Sequence, residues 1–430
     1  MRIAVVGSGI AGLGTAWLLG HRYEVTLFEG NDYLGGHTHT HSVLSADVQY
    51  AVDTGFIVHN PRHYPLFTRF LAELEVASQD TTMSFAVCNE SLRLEYSTDS
   101  LFCQRSNLVS PRFYRMLLDI ARFYRRAPQL LEHTGASPTL EEYLESERYG
   151  IAFRDAHLVP MAAALWSAPP ETVLGYPIRF LVQFMANHEM LSLGARSPWK
   201  VVCGGSASYV RALQARWRVS VRLSCPVHAV RRDRGAIILD TPAGSERFDQ
   251  IVLACHSDQA LALLTDASES ERTVLGAIPY QRNEVVLHTD ASFLPYRRRA
   301  WAAWNALVPA DSPNRATVSY CMNLLQGLAP PEPFIVTLNP TRPVAPERVL
   351  RRLSYSHPQF TTQAVAAQAQ RPLIQGKRRT WFAGAYWGFG FHEDGLRSAV
   401  EVSRALGVRA SIASTDVPVE ASHPVATVPA

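Results

Sequence analysis

Lysine is almost missing from this chain. Of 430 residues and 41 basic side chains, only Lys200 and Lys377 are lysines, so any mechanism that requires a lysine has two places to look. Cysteine is scarce as well. The six residues Cys88, Cys103, Cys203, Cys225, Cys255 and Cys321 form no Cys-x-x-Cys pair and show no metal-ligand spacing. That leaves no case for a bound metal or a disulfide framework and points to a reducing cytoplasm. No apolar run reaches the roughly 18 residues that cross a bilayer, and the chain enters its first strand at Arg2, which leaves no stretch for a signal peptide. A soluble or peripheral protein is expected. A net charge of +3 gives no argument for nucleic-acid binding. What is present is ordinary globular material, 47% hydrophobic and 18% charged, long enough for two intertwined domains rather than one small core.

The first forty residues organise the rest. The apolar run Arg2-Ile3-Ala4-Val5-Val6 leads into Gly7-Ser8-Gly9-Ile10-Ala11-Gly12. A helical pattern follows, then a second strand-like run, Tyr23 to Phe28, that ends on Glu29, twenty residues after Gly9. This is a complete dinucleotide-binding βαβ fingerprint. Gly7 permits the tight turn, Gly9 lets backbone approach a pyrophosphate, and Gly12 lets helix and strand pack closely, while Ser8 and Ala11 share the phosphate-facing turn. The helix N-terminus turns about half a positive charge toward the phosphates. Glu29 is placed to accept hydrogen bonds from the adenosine ribose, and a carboxylate there disfavours the 2′-phosphate of NADP.

A second glycine pair follows within six residues, in Leu34-Gly35-Gly36-His37-Thr38, where its amides can reach the same phosphates from the other side. A plain nicotinamide dehydrogenase has no need of it. The stretch resembles the flavoproteins of the amine oxidase, protoporphyrinogen oxidase and phytoene desaturase superfamily, with His37 standing where an arginine is common. The resemblance implies an α/β fold: a Rossmann-type FAD-binding domain of amine oxidase type, from residues 1–75, 198–270 and 371–407, interleaved with an α+β substrate domain from residues 76–197 and 271–370. It also implies that the segment holding Gly55 and Phe56 passes near the flavin, and that Val227 or His228 meets the adenine through backbone groups. The tail from 408 to 430 lacks periodicity and is expected to be disordered.

The second anchor is Thr380 to Ala399. A strand ends at Ala383-Gly384, a glycine- and aromatic-rich loop follows, and a helix is expected from near Gly395 to Leu406. By the same resemblance Gly384 lies by the pyrophosphate and ribityl chain, and the helix start, with Asp394, Gly395, Leu396 and Ser398, points at the flavin. A helix N-terminus stabilises the negative charge of reduced flavin. The loop has no cysteine, so FAD is expected to be noncovalent.

Between the anchors, residues 76–197 read as a largely helical insertion. Arg112, Arg115, Arg122, Arg125 and Arg126 lie mostly off the apolar stripe of Phe113, Met116, Leu117, Ile120, Phe123 and Tyr124. That is either an interfacial membrane helix or a core-packed helix with a solvated arginine face. The stretches Pro160–Trp166 and Phe180–Met185 either line a hydrophobic channel or are core.

The runs Val52–Asn60, Tyr320–Gln326, Val336–Pro340 and Gly388–Gly395 are similar to a bacterial group of predicted NAD/FAD-binding proteins, which in turn resembles the flavin domain fused ahead of plant cyclopropane fatty acid synthases. The resemblance implies a flavin oxidoreductase, as a desaturase, on unsaturated acyl chains of phospholipids, methylated ones among them. A lipid methyltransferase would be its partner, and its place the cytoplasm or the inner face of the membrane. His392 and Glu393 are the first candidates for moving a proton, Tyr386 and Tyr320 the next. The competing readings are an amine oxidase of the same fold and a flavin-bearing accessory of a methyltransferase. Glu393 and Asp394 have a second reading as helix caps, and His392 as a histidine that orders its loop.

Overall fold

The computed structural model describes residues 1–133, 135–191, 197–233, 235–311, 316–409 and Ile412. Strand β1 (Arg2–Val6) buries Ile3 through Val6 on both faces, as the central strand of a parallel sheet must. It is flanked by β2 (Glu24–Phe28) and joined by β3 (Val219–Arg222), β4 (Gln250–Leu253) and β5 (Thr380–Phe382) in the order β3-β2-β1-β4-β5, all parallel. Five strands drawn from three distant parts of the chain therefore point their C-terminal ends the same way. That is the edge at which open α/β sheets bind ligands.

Four helices position the site and its surroundings: α1 (Ile10–Gly20), α2 (Pro65–Glu73), α3 (Pro111–Arg126) and α4 (His392–Ala405). α1 and α4 lie against each other because glycine lets them: a Cβ on Gly14 would stand 2.6 Å from Leu396, and one on Gly395 2.7 Å from Ile10. The helix that follows the first fingerprint and the helix that follows the second anchor are thereby locked into one body.

A second, seven-stranded sheet runs in the order Val349–Pro358, Tyr280–His288, Ile335–Leu338, Thr317–Cys321, Trp304–Val308, Phe85–Asn89 and Leu94–Ser97. Residues 76–197 are thus less helical than expected. They open with strands Ser78–Thr81, Phe85–Asn89 and Leu94–Ser97, and Phe85–Asn89 pairs with Trp304–Val308 in parallel. The partner lies far along the chain, so no local pattern announced it. Helices from α3 to Ile178–Asn187 follow, packed around Phe113, Phe123, Phe153, Phe180 and Phe184.

α3 starts on Ser110, whose hydroxyl accepts from the Phe113 amide, with Pro111 at its first position. Its stripe residues Phe113, Met116 and Phe123 are 0–1% exposed. The stripe is core, which removes it as a membrane-facing surface. No helix among the described residues is long and apolar enough to cross a membrane. The expected tail lies outside the described residues apart from Val408, Arg409 and Ile412.

Candidate active site

The first turn follows its glycines. Gly7, at φ +97°, donates its amide to Phe28 O at 2.9 Å and closes β1 onto β2. A Cβ on Gly12 would stand 1.8 Å from Gly7 O, so this glycine packs helix on turn and does not face the cavity. Gly9 is different. Its φ of −62° suits any residue, yet a Cβ there would meet no protein atom within 4 Å. The empty cradle at Gly9 is space for a ligand. Gly36 (φ +58°) comes in from the opposite side, its Cβ position 3.1 Å from Gly9 Cα, while the Gly35 amide donates to Ser8 O at 3.1 Å. The two glycine pairs form one clamp.

Glu29 reaches that clamp too. One carboxylate oxygen accepts from the Ser8 amide (2.9 Å) and hydroxyl (2.5 Å), the other from the Asn31 amide (2.9 Å) and side chain (2.8 Å). All four acceptor positions of a carboxylate are in use, so a ribose must share or displace a donor here.

Gly55 has a different reason from the one expected. Its Cβ would fall 2.1 Å from His37 O, so it is a glycine because its own chain passes close by, although it also lines the cavity. Next to it Phe56 stacks on His392, ring centres 3.4 Å apart and 12° from parallel. His392 Nε2 lies 3.0 Å from Thr38 Oγ1 and 3.3 Å from Tyr209 Oη, and those two hydroxyls are 2.5 Å apart. His392 lines the cavity, whereas Thr38 stands behind it as a support.

Several expected contacts are corrected. α4 begins at His392, not near Gly395. Gly395 and Leu396 pack on α1, and Ser398 accepts from the Gly384 amide at 2.8 Å while donating to Gly395 O at 2.7 Å; none of the three faces the cavity. Asp394 turns away to accept from the Phe389 and Phe391 amides (3.0 and 3.1 Å) and from Arg397 (2.8 Å), ordering the aromatic loop. Glu393, a proton-transfer candidate, caps α2: its two oxygens accept from the Leu66 and Phe67 amides at 3.0 Å each. It does not reach the cavity. His228 is exposed and its amide pairs with Asp240 O, which leaves Val227 as the cavity contact of that pair.

The cavity these residues open onto measures about 1170 Å³, above the roughly 300–1,000 Å³ of a single small-molecule pocket. One end holds Gly7, Ser8, Gly9, Ala11, Glu29, Gly36, His37, Val227 and Gly384; the other runs among Met161, Ala164, Leu165, Trp166, Phe184, Trp304 and Tyr320. Both sequence readings of the two apolar stretches hold in part: Met161, Ala164, Leu165, Trp166 and Phe184 line the cavity, and Ala162, Ala163, Leu181, Val182 and Met185 are core.

The lining is nearly uncharged. Glu29 is the one acid among the described lining residues, and no lysine or arginine is among them. Burial drives six lining histidines toward the neutral form: His37 and His392 far below the usual value, His157 and His357 to about 4, His188 to about 3, and His256 in the same direction. Tyr320 and Tyr386 are pushed upward by burial and stay protonated; Tyr320 donates to Ala164 O at 3.3 Å, and the Tyr386 hydroxyl is buried without a partner.

Sequence reasoning missed His256 and His357. His256 had a signal, since it lies just past the C-terminal end of β4, where ligands gather. His357 had none, because its partners come from other strands. Asn283 Oδ1 accepts from Asn339 (2.7 Å), which turns the Asn283 amide nitrogen toward Ser167 O and His357 Nδ1, both at 2.8 Å. His357 Nδ1 is then an acceptor, and its proton sits on Nε2.

FAD fits this geometry. The Gly9 cradle and the Gly35-Gly36 turn suit a pyrophosphate, His37 Nε2 is a buried nitrogen lacking any partner, and the α4 N-terminus at Phe391-His392 supplies its dipole to the cavity wall. With no lysine or arginine among the described lining residues, backbone amides and helix ends carry that task there.

Comparisons with known proteins give the family and the fold. Residues 10–339 match the family model for flavin containing amine oxidoreductases. A sequence search of curated proteins finds no match. Among solved structures, the chain is similar to a CLA-producing fatty acid isomerase from P. acnes (TM-score 0.68, 16% identity, 94% of this chain and 98% of that one). It is also similar to cyclohexylamine oxidase from Brevibacterium oxydans IH-35A (0.63, 14%, 94% and 99%) and to putrescine oxidase bound to putrescine (0.67, 11%, 94% and 99%).

Proposed function

The chain belongs to the flavin containing amine oxidoreductase family and is a flavin-dependent oxidoreductase, and from that premise we propose that it desaturates unsaturated fatty acyl chains of phospholipids, methylated ones among them. The observation that carries this reading is the apolar limb of the cavity, from Met161 to Tyr320, whose described lining residues include no acid, lysine or arginine to pair with an ionic substrate. One relative of the same fold is a fatty acid isomerase, so the architecture admits an acyl chain.

Bound FAD supplies a hydride acceptor. The chain supplies the rest: Trp166, Phe184, Trp304 and Tyr320 desolvate and orient the acyl segment, and the clamp of Gly9, Gly35 and Gly36 fixes the cofactor. A desaturation also releases a proton. With Glu393 committed to capping α2, His392 Nε2 held by Thr38 and Tyr209, and His357 Nδ1 occupied by Asn283, the unpartnered Nε2 atoms of the neutral cavity-lining His37 and His157 are the remaining groups to take it. A lipid methyltransferase that makes the substrate is the partner this reading implies.

Anaerobic mixing of the FAD-loaded protein with phospholipids bearing methylated unsaturated chains tests it. Bleaching of the flavin's visible absorption, with a new double bond in the recovered lipid, is expected. Bleaching by a neutral amine and not by lipid would replace the reading with amine oxidation, and bleaching by neither would favour a non-redox accessory.

A further inference from the structure

The surface around α3 carries apolar residues where a soluble face does not need them. Phe102, Leu108, Val109, Tyr114 and Leu118 lie within seventeen positions and are 39%, 53%, 82%, 44% and 71% exposed. None of them belongs to the stripe that packs into the core. Large apolar residues clustered this closely on a surface mark an interaction site.

The charge around them is predominantly positive, with exposed Asp99 and the Arg126–Glu147 pair at its edges. From Leu101 to Arg126 there are six arginines and a single acid, Asp119, which is buried and paired with Arg122 at 3.1 Å. Arg105, Arg112, Arg115 and Arg125 are exposed. The basic field continues across a chain crossing. Tyr296 and Arg297 to Arg299 are exposed; Arg297 pairs with Glu95, and the charges of Arg297 and Arg299 act on the Cys103 thiol within the same face. The nearby acids Glu90 and Glu95 are already engaged, by Tyr296 and by Arg297.

We propose that this face, made of Arg105–Val109, the exposed side of α3 from Arg112 to Arg125 and the Tyr296–Arg299 loop, docks on an anionic phospholipid bilayer. Val109, Leu108 and Leu118 enter the acyl boundary, and the arginines meet the headgroup phosphates. The inference rests on the acyl-substrate reading and deepens it. Tyr124, six residues beyond Leu118 and hence about 9 Å further along the helix axis, lines the cavity with Phe85 and Thr98. The docking face and the substrate limb share one helix, so a docked enzyme takes its acyl chain from the membrane it sits on.

The test is co-sedimentation of the FAD-loaded protein with vesicles of phosphatidylcholine alone and of phosphatidylcholine with phosphatidylglycerol. Binding is expected to rise with the anionic fraction and to fall with added salt. The double variant Val109→Asp/Leu118→Asp is expected to lose at least about tenfold in partitioning with an unchanged flavin spectrum and melting temperature, and Arg112→Gln/Arg115→Gln/Arg125→Gln to bind the two vesicle types alike. Docking is overturned if the wild type ignores anionic vesicles, if the Asp variant binds as the wild type does, or if light scattering shows the face covered by a second copy that the Asp variant releases. Turnover on detergent-dispersed lipid separates the two claims. A docking variant that still bleaches its flavin there leaves the catalytic reading standing, and a wild type that docks but bleaches with no lipid leaves docking standing alone.

Discussion

Gly9 and Gly12 stand three positions apart in one motif and do opposite things. At Gly12 an added methyl would collide with the backbone oxygen of Gly7, which cannot move without opening the β1–α1 turn. At Gly9 the same methyl would meet no protein atom, and the backbone angle already suits alanine. Gly12→Ala is therefore expected to destabilise the cofactor-free protein by about 1–3 kcal/mol through overpacking. Gly9→Ala should leave the stability of the cofactor-free protein within about 0.5 kcal/mol while lowering FAD affinity at least about tenfold, because the methyl occupies the phosphate cradle. Denaturant melts of the stripped proteins and titration with FAD separate the two; equal effects on stability would refute the assignment. The packing role of Gly12 was legible in the spacing alone, since the fingerprint is a local device. The environment of Glu29 was not legible: its acceptors are taken by Ser8 and Asn31, a fact of folded side chains.

Between elements, the most consequential departure from the sequence reading is Glu393, whose partners on α2 lie 327 and 326 positions away. In sequence, His392-Glu393-Asp394 looks equally like catalytic machinery or a helix cap, and only the docking of α2 against α4 decides. Asp394 caps its own helix and Glu393 caps a foreign one. Burial raises the Glu393 carboxyl from 4.5 to about 7 against the opposing pull of Arg397 and the two amides, and burial raises Asp53 from 3.8 to about 6 against Thr40 and Ser206. A carboxyl that holds its proton more tightly in the fold stabilises fully below its unfolded value, and that contribution is lost as pH rises through the folded one. The melting temperature is thus expected to fall between about pH 4.5 and 7 from Glu393, and between about pH 4 and 6 from Asp53. Glu393→Gln carries no titrating proton but keeps one acceptor for two amides. It should flatten the upper part of that slope and, above pH 7.5, be more stable than the wild type by on the order of 1 kcal/mol, the relief of a buried charge less one weakened hydrogen bond. A variant whose melting curve against pH parallels the wild type would show that Glu393 titrates normally.

At the scale of the whole molecule, the cofactor end of the cavity was readable because each half of it is a contiguous motif, Gly7 to Gly36 and Gly384 to His392, and the sheet order brings the two together. The substrate end was not readable. Ala162 and Ala164 are both apolar, both buried and both part of the core, yet only Ala164 also lines the cavity; that distinction depends on where Trp304 and Tyr320 arrive from another strand pair. Leu165 is the place to test the limb, since it is only half-buried and faces the cavity, so a larger side chain there takes up cavity volume rather than core volume. Leu165→Trp leaves the glycine clamp, Glu29 and His37 untouched, so FAD content and melting temperature should match the wild type within about 0.5 kcal/mol. A long acyl chain must pass the narrowed limb, and flavin bleaching by phospholipid is expected to slow at least about tenfold, since a misplacement of about 1 Å can cost about a hundredfold in rate. A small neutral reductant, which reaches the cofactor without filling the limb, should bleach both proteins at the same rate. Rapid-mixing measurements with the two reductants, side by side, read the limb directly: equal slowing would mean the tryptophan has disturbed the cofactor end, and no slowing with lipid would mean the acyl chain does not lie along Met161 to Tyr320.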